Sequence, residues 1–164
     1  MLDIWPTFLP IVVSESCWVT CEDAESDNIV AALEDSGRVC DISLWRSETP
    51  ESERFVAAMQ KPFPALETLE IRLFGDPKLV LPDSLLGGSA PRLRSLHLVD
   101  MVFPALPKLL SSTSHLVRLD MLRLMGQERI PHAGYISPGA MVTCLSTLTR
   151  LETLRFGFIS PVSL

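Results

Sequence analysis

Residues 63–98 read FPALETLEIRLFGDPKLVLPDSLLGGSAPRLRSLHL. The spacing apolar-x-x-apolar-x-apolar occurs twice in this stretch, beginning at Leu66 and at Leu93, which are 27 residues apart. Between the two copies lies a segment rich in proline and glycine, which is typical of turns. A unit of this length that supplies one short strand and one helix or 3-10 turn is typical of leucine-rich repeats. The stretch therefore predicts a repeat protein.

The same spacing recurs along the rest of the chain, with successive first positions 27, 27, 23 and 35 residues apart. The five copies are Val39/Ile42/Leu44, Leu66/Leu69/Ile71, Leu93/Leu96/Leu98, Leu116/Leu119/Met121 and Leu151/Leu154/Phe156. The long last interval indicates a loop insertion at residues 127–138, which contain two prolines and a glycine. Residues 9–14 are a candidate for a sixth, N-terminal strand or cap.

Helical segments are predicted between these strands, with Asp27 as the N-cap of the first helix. They are residues 28–35, 51–60, 82–87, 106–112 and 139–148. The expected fold is α/β, a short irregular leucine-rich-repeat solenoid of about five repeats. Its parallel strands would form the concave face, and its helices or 3-10 turns the convex face. We expect one domain over residues 1–164, with an N-terminal cap region at 1–27; a generic α/β domain is the alternative.

One feature departs from the usual repeat. The chain has 26 leucines but one asparagine, Asn28. Leucine-rich repeats commonly carry Asn or Cys three residues after the last strand leucine. Here those positions hold Ser47, Phe74, Met101, Leu124 and Ile159. The turns must therefore be closed by other groups.

Charge and composition exclude several classes of protein. The 164 residues carry a formal charge of −6, which argues against a dedicated nucleic-acid binder. Residues 1–60 have a net charge of −9 and residues 61–164 a net charge of +3. The sequence contains neither a secretory signal nor an apolar run long enough to span a membrane. Four cysteines do not make a disulfide scaffold, so we expect an intracellular protein of the cytoplasm or nucleus.

Signatures of catalysis or of metal binding are weak. Cys17 and Cys21 have a spacing seen in zinc sites, but no second pair follows them. The segment Gly87–Pro91 differs from a nucleophile elbow and leads into a predicted strand, where that motif would lead out of one. The chain lacks the common nucleotide-binding motifs and the zinc-protease motif. We therefore expect no enzyme activity, no cofactor and no metal.

Several segments resemble a large group of fungal F-box/leucine-rich-repeat-like proteins. The most specific are GGSAPRLRSL at residues 87–96 and ISPGAMVTCLSTLTRLE at residues 136–152. The resemblance implies a repeat region of the kind that holds a substrate for a cullin-type ubiquitin ligase. An F-box-like segment is absent before the repeats, and the group commonly continues with more repeats. The resemblance therefore implies a truncated member, to which the ligase role does not carry over.

Strand alternation predicts where a partner would bind. If the leucine positions point into the core, the residues between them face the concave surface. The predicted contact residues are Trp45, Glu70, Arg72, His97, Arg118, Asp120 and Arg155. The first hypothesis is a non-catalytic module that binds an unknown protein on this face and binds neither nucleic acid nor membrane. The second is an incomplete repeat protein without independent activity, whose uncapped last repeat favours self-association.

Overall fold

The fold was analysed in a computed structural model, which describes residues 9–17, 23–47, 50–74, 80–99, 101–122 and 136–157. Strands and helices alternate along these residues. In chain order they are β1 (Ile11–Cys17), α1 (Asp23–Glu34), β2 (Val39–Ser47), α2 (Pro50–Ala58), β3 (Thr68–Phe74), a 3-10 helix (Leu85–Gly88), β4 (Ser95–Val99), α3 (Leu106–Ser111), β5 (Arg118–Leu122), α4 (Pro138–Thr147) and β6 (Thr153–Phe156).

The six strands form one open sheet in the order β1-β2-β3-β4-β5-β6, and every pairing is parallel. Because strand-to-strand crossovers are right-handed almost without exception, a sequential order places every connection on the same face of the sheet. The described helices therefore lie on one face, and the other face carries no helix from the described part of the chain. The candidate N-terminal strand at residues 9–14 is present as β1, which begins at Ile11.

The repeated apolar positions lie in register across the sheet and form the core. One such ladder joins Ile42, Leu69, Leu96, Leu119 and Leu154 on β2 to β6. Its first four members are fully buried, whereas Leu154 on the last strand remains 44% exposed. Helix residues such as Leu33 and Phe55 belong to the same core cluster. The leucine spacing therefore aligns equivalent side chains from distant parts of the chain.

A backbone turn repeats before four of the strands and shows how the units are joined. In each unit an N–H donates to the carbonyl three residues earlier, at 3.1–3.2 Å. The donor and acceptor pairs are Leu66 to Phe63, Leu93 to Ala90, Leu116 to Thr113 and Leu151 to Leu148. The residue after each donor then donates its N–H to the preceding unit at 2.8–2.9 Å, as Arg94 does to Glu67. Backbone groups thus close the turns that precede these four strands.

Serine and threonine side chains satisfy further backbone groups beside these turns. The Ser112 hydroxyl donates to the Leu109 carbonyl at 2.7 Å and accepts the Ala90 N–H at 3.1 Å. The buried Thr113 hydroxyl donates to the carbonyl of Leu110 at 2.9 Å. Met101 occupies one of the five positions that lack the usual Asn or Cys, and its side chain is buried. The other four side chains lie outside the described part.

Two expectations about local structure need correction. Helix α1 begins at Asp23, so Asp27 is an internal residue and its predicted role as an N-cap is wrong. Its Oδ1 lies 2.7 Å from Nη2 of Arg54 on α2. Of the predicted loop insertion at 127–138, residues 127–135 lie outside the described residues, and Pro138 is the first residue of α4.

Candidate interaction face

The face of the sheet opposite the helices carries mostly polar side chains, and we call it the polar face. It comprises Val12, Ser14, Asp41, Ser43, Trp45, Thr68, Glu70, Arg72, Ser95, His97, Val99, Arg118, Asp120, Leu122, Thr153 and Arg155. These residues alternate with the buried core positions along each strand, because successive strand side chains point to opposite faces. All seven predicted contact residues lie on this face. The structure thus brings together residues that are up to 110 positions apart in sequence.

A row of charged and polar side chains runs across the middle of the polar face. Register places Glu70, His97, Asp120 and Arg155 side by side on β3 to β6. Nδ1 of His97 lies 3.6 Å from Oε1 of Glu70 and 3.8 Å from Oδ2 of Asp120. Nε of Arg155 lies 3.9 Å from Oδ1 of Asp120. These separations exceed hydrogen-bond length, so the row is coupled through charge.

Arg72 occupies a fixed position between two neighbours. Its guanidinium carbon lies 4.1 Å from the centre of the Trp45 ring. Its Nε and Nη2 both lie 2.6 Å from Oε1 of Glu70. A guanidinium over an indole gains cation–π attraction, and its bonds to a carboxylate are charge-assisted. The charges of Arg72 and Glu70 are therefore largely compensated within the protein.

Exposure differs strongly along the polar face. The Asp120 side chain is 6% exposed and that of His97 is 17% exposed, whereas that of Arg155 is 69% exposed. Arg118 is also exposed. Sequence alternation predicts a solvated face throughout, but the side chains in the middle row are flanked by neighbours on strands about 4.8 Å away. The cationic groups accessible to a partner are therefore concentrated on β5 and β6.

Burial controls the protonation of His97. Desolvation has the largest effect and lowers the pKa of the imidazole below 6.5; the nearby Arg72 and Arg155 act in the same direction. Glu70 and Asp120 oppose this shift. The ring is therefore neutral at pH 7. Since Nδ1 faces both carboxylates, the proton is best placed there. The buried Nε2 is then an acceptor that has no hydrogen-bond partner among the described residues.

The geometry provides little for metal binding. Within the described ranges, no group of three or more His, Cys, Asp or Glu side chains is arranged to hold a metal ion. The Cys17 side chain and all of Cys21 lie outside those ranges, so the spacing noted for them stays unplaced. Cys40 and Cys144 are free, half-buried thiols. The Cys144 thiol lies 3.8 Å from the Pro107 carbonyl oxygen, which fits packing between α4 and α3.

Strand β1 extends the polar face beyond the contact residues predicted from the repeats. Ser14 lies beside Ser43 in the middle row, and Val12, beside Asp41, is 64% exposed. The leucine spacing omits this strand because its core positions are Ile11 and Val13. The run of β-branched residues Ile11–Val13 is the signal that identifies it.

Comparison with known proteins adds no relative. No protein-family model matches the chain, and neither a curated protein nor a solved structure is significantly similar to it. The structure itself defines the class, an α/β protein with one open parallel sheet whose strands alternate with helices. Among the helices described, none is both long and apolar enough to cross a membrane.

Proposed function

We propose that the chain is a non-catalytic protein-interaction module, an irregular leucine-rich-repeat solenoid that binds a partner protein on its polar face. The observation that carries this proposal is the continuous row of charged and polar side chains across β3 to β6, which ends in an exposed arginine. Two further observations support a solenoid: the strands follow sequential order, and the same turn precedes four of them. The strand-lined face is the surface that solenoids commonly use for binding.

The residue types on the polar face suit a protein interface. Tryptophan and arginine are enriched among residues that dominate binding energy. Trp45 and Arg72 are already held against each other, so a partner that contacts them would have little side-chain motion left to restrain. Arg118 and Arg155 offer exposed charge on β5 and β6 of the same face. We assign these four residues as the principal contacts.

The resemblance to F-box/leucine-rich-repeat-like proteins supports a related role. In that group the repeats hold a substrate, so the polar face would act here as a recognition surface of the same kind. An intracellular location is part of the proposal because the four cysteines do not make a disulfide scaffold. Neither inference requires this chain to recruit a ligase.

Charge reversal on the polar face tests the proposal. Affinity capture with the wild-type chain is compared by quantitative mass spectrometry with capture by an Arg118→Glu/Arg155→Glu variant. The control is Lys61→Glu/Arg92→Glu, which changes the net charge equally at two exposed positions away from the polar face. We expect at least one protein retained by the wild type and the control to be lost from the polar-face variant.

Thermal unfolding of both variants accompanies this comparison. Because Arg118 and Arg155 are exposed, we expect both variants to unfold within about 2 °C of the wild type, as surface changes of about 0.5 kcal/mol would allow. If every captured protein binds the polar-face variant as well as it binds the control, the polar face is not the binding surface.

A second candidate function is self-association through β6. It rests on two exposed apolar side chains on the last described elements, Leu154 at 44% and Val142 at 67%. Among the described strands, β6 also forms an edge of the sheet, and unpaired edges pair readily with other chains. Light scattering coupled to size-exclusion chromatography separates the candidates: a mass that rises with concentration, and is restored to that of a monomer by Leu154→Lys, would favour self-association.

A further inference from the structure

Four side chains that carry hydrogen-bond donors lie close together on β4, β5 and β6, at the exposed end of the polar face. Ser95, Arg118 and Thr153 are neighbours across the three strands, and Arg155 lies two residues beyond Thr153 on the same face. We call these four residues the arginine–hydroxyl cluster. In the part of the chain that is described, the side chains of Ser95, Arg118 and Thr153 make no hydrogen bond or ion pair. These three side chains therefore present donor groups that no described residue accepts from.

The accessible groups of the cluster carry net positive charge. Arg118 and Arg155 each contribute a full positive charge with five guanidinium donors, and two hydroxyls lie beside Arg118. The acidic groups nearest to the cluster on the polar face are Asp120, which is buried and 3.9 Å from Nε of Arg155, and Glu70, which is paired with Arg72. The exposed Glu152 lies just before β6. Asp41 is three strands away, about 14 Å at the usual strand spacing and thus beyond one Debye length at physiological ionic strength.

The spacing of the two arginines indicates the shape of the ligand. They lie on adjacent strands and two positions apart along them, a diagonal separation of about 7–8 Å. Carboxylates at alternate positions of an extended chain are separated by about 6.6–6.8 Å. Guanidinium binds carboxylate with two parallel hydrogen bonds. The geometry thus accommodates two carboxylates, one on each arginine, with the hydroxyls donating to the carboxylate beside Arg118.

We propose that the arginine–hydroxyl cluster binds an extended acidic segment of the partner protein, with alternate carboxylates on Arg118 and Arg155. This inference rests on the proposed function, because it identifies the chemistry of the partner at the same face. In this proposal Asp120 limits the affinity for the ligand. Its carboxylate competes with the ligand for Arg155, so the natural chain binds acidic segments more weakly than the two arginines alone would.

Solution NMR with short peptides tests this inference. The probe is an acetylated peptide that alternates aspartate with valine, and its control carries asparagine in place of aspartate. The Nε–H signals of the two arginines are assigned by their loss in Arg118→Lys and Arg155→Lys variants. We expect both signals to shift saturably with the aspartate peptide and to stay in place with the asparagine peptide.

Variants then separate charge recognition from general binding. Arg118→Ala should weaken binding of the aspartate peptide about tenfold, as expected when hydrogen bonds to a charged group are lost. Asp120→Asn should strengthen it several-fold, a gain that a merely structural role for Asp120 does not produce. Lys61→Ala serves as the control and should leave the affinity unchanged.

Inorganic phosphate supplies the opposing probe. If phosphate shifts both arginine signals and the aspartate peptide shifts neither, the cluster binds a single compact oxyanion and the two-carboxylate proposal is wrong. It is equally wrong if no probe shifts either signal, or if Asp120→Asn weakens binding. A partner lost on charge reversal of the polar face, together with failure of the aspartate peptide, would retain the proposed function and overturn this inference alone.

Discussion

Replacing equivalent leucines on an inner strand and on the last strand would reveal how the core depends on its repeats. Leu96 on β4 and Leu154 on β6 belong to the same ladder, joined through Leu119 on β5. Leu96 is fully buried, with a strand on either side, whereas Leu154 is 44% exposed. The two substitutions Leu96→Ala and Leu154→Ala therefore remove the same atoms from two different environments.

The expected losses of stability follow from those exposures. A fully buried leucine replaced by alanine costs about 2.7–5.0 kcal/mol, because a cavity adds to the lost transfer free energy. We expect Leu96→Ala to lie in that range, at about 3 kcal/mol. Leu154 is 44% exposed, so removing its side-chain methyl groups leaves little enclosed cavity. Leu154→Ala should therefore cost about 1 kcal/mol.

Urea denaturation followed by circular dichroism provides the measurement. For a chain of this size, Leu96→Ala should also lower the melting temperature by about 6–12 °C and Leu154→Ala by about 2–4 °C. An unchanged denaturant slope would show that the same cooperative unit is being compared. Equal losses for the two variants, or a loss below about 1 kcal/mol for Leu96→Ala, would contradict the core described above.

Two further perturbations test local features. Burial lowers the pKa of His97 below its unfolded value of about 6.5, so the unfolded chain binds a proton more readily and stability falls as the pH drops below that value. Between pH 7 and pH 5, the melting temperature of His97→Gln should therefore decrease less than that of the wild type. An identical dependence of the melting temperature on pH in the two proteins would exclude the effect. Gly87 has φ +66°, and a Cβ there would lie 2.9 Å from the Pro62 backbone nitrogen, so Gly87→Ala should cost about 2 kcal/mol or more in urea denaturation. Gly37→Ala, where a Cβ meets nothing within 4 Å, should change stability by about 0.5 kcal/mol or less, and comparable losses for the two alanines would refute the steric argument.

The arrangement of the strands could be predicted from sequence because the apolar spacing within each repeat identifies its buried positions. Leu66, Leu69 and Ile71 specify which side chains are buried, and the 27-residue spacing predicts that Leu93, Leu96 and Leu98 occupy the next places. β1 is less evident because Ile11 and Val13 occupy its core positions in place of leucines. The sequence pattern places the start of α1 four or five residues too late, because Asp23–Asp27 contains three acidic residues and lacks an apolar stripe.

The contact residues of the polar face could be named from alternation, but their environments could not. Asp120 and Arg118 are two residues apart on β5, yet one is 6% exposed and the other is exposed. The difference depends on neighbours such as His97 and Arg155, which register brings from other repeats. The pairing of Asp27 with Arg54 across α1 and α2 depends in the same way on packing between elements.

Photo-crosslinking tests the central claim, that a partner protein binds the polar face, most directly. A photoreactive residue is placed at Ser43 on the polar face or, as a matched control, at Ala31, which is exposed on α1 on the helical side. The account predicts a crosslink to a specific protein from position 43 that is lost in the Arg118→Glu/Arg155→Glu background and is absent from position 31. A specific crosslink from position 31 with none from position 43 would contradict it.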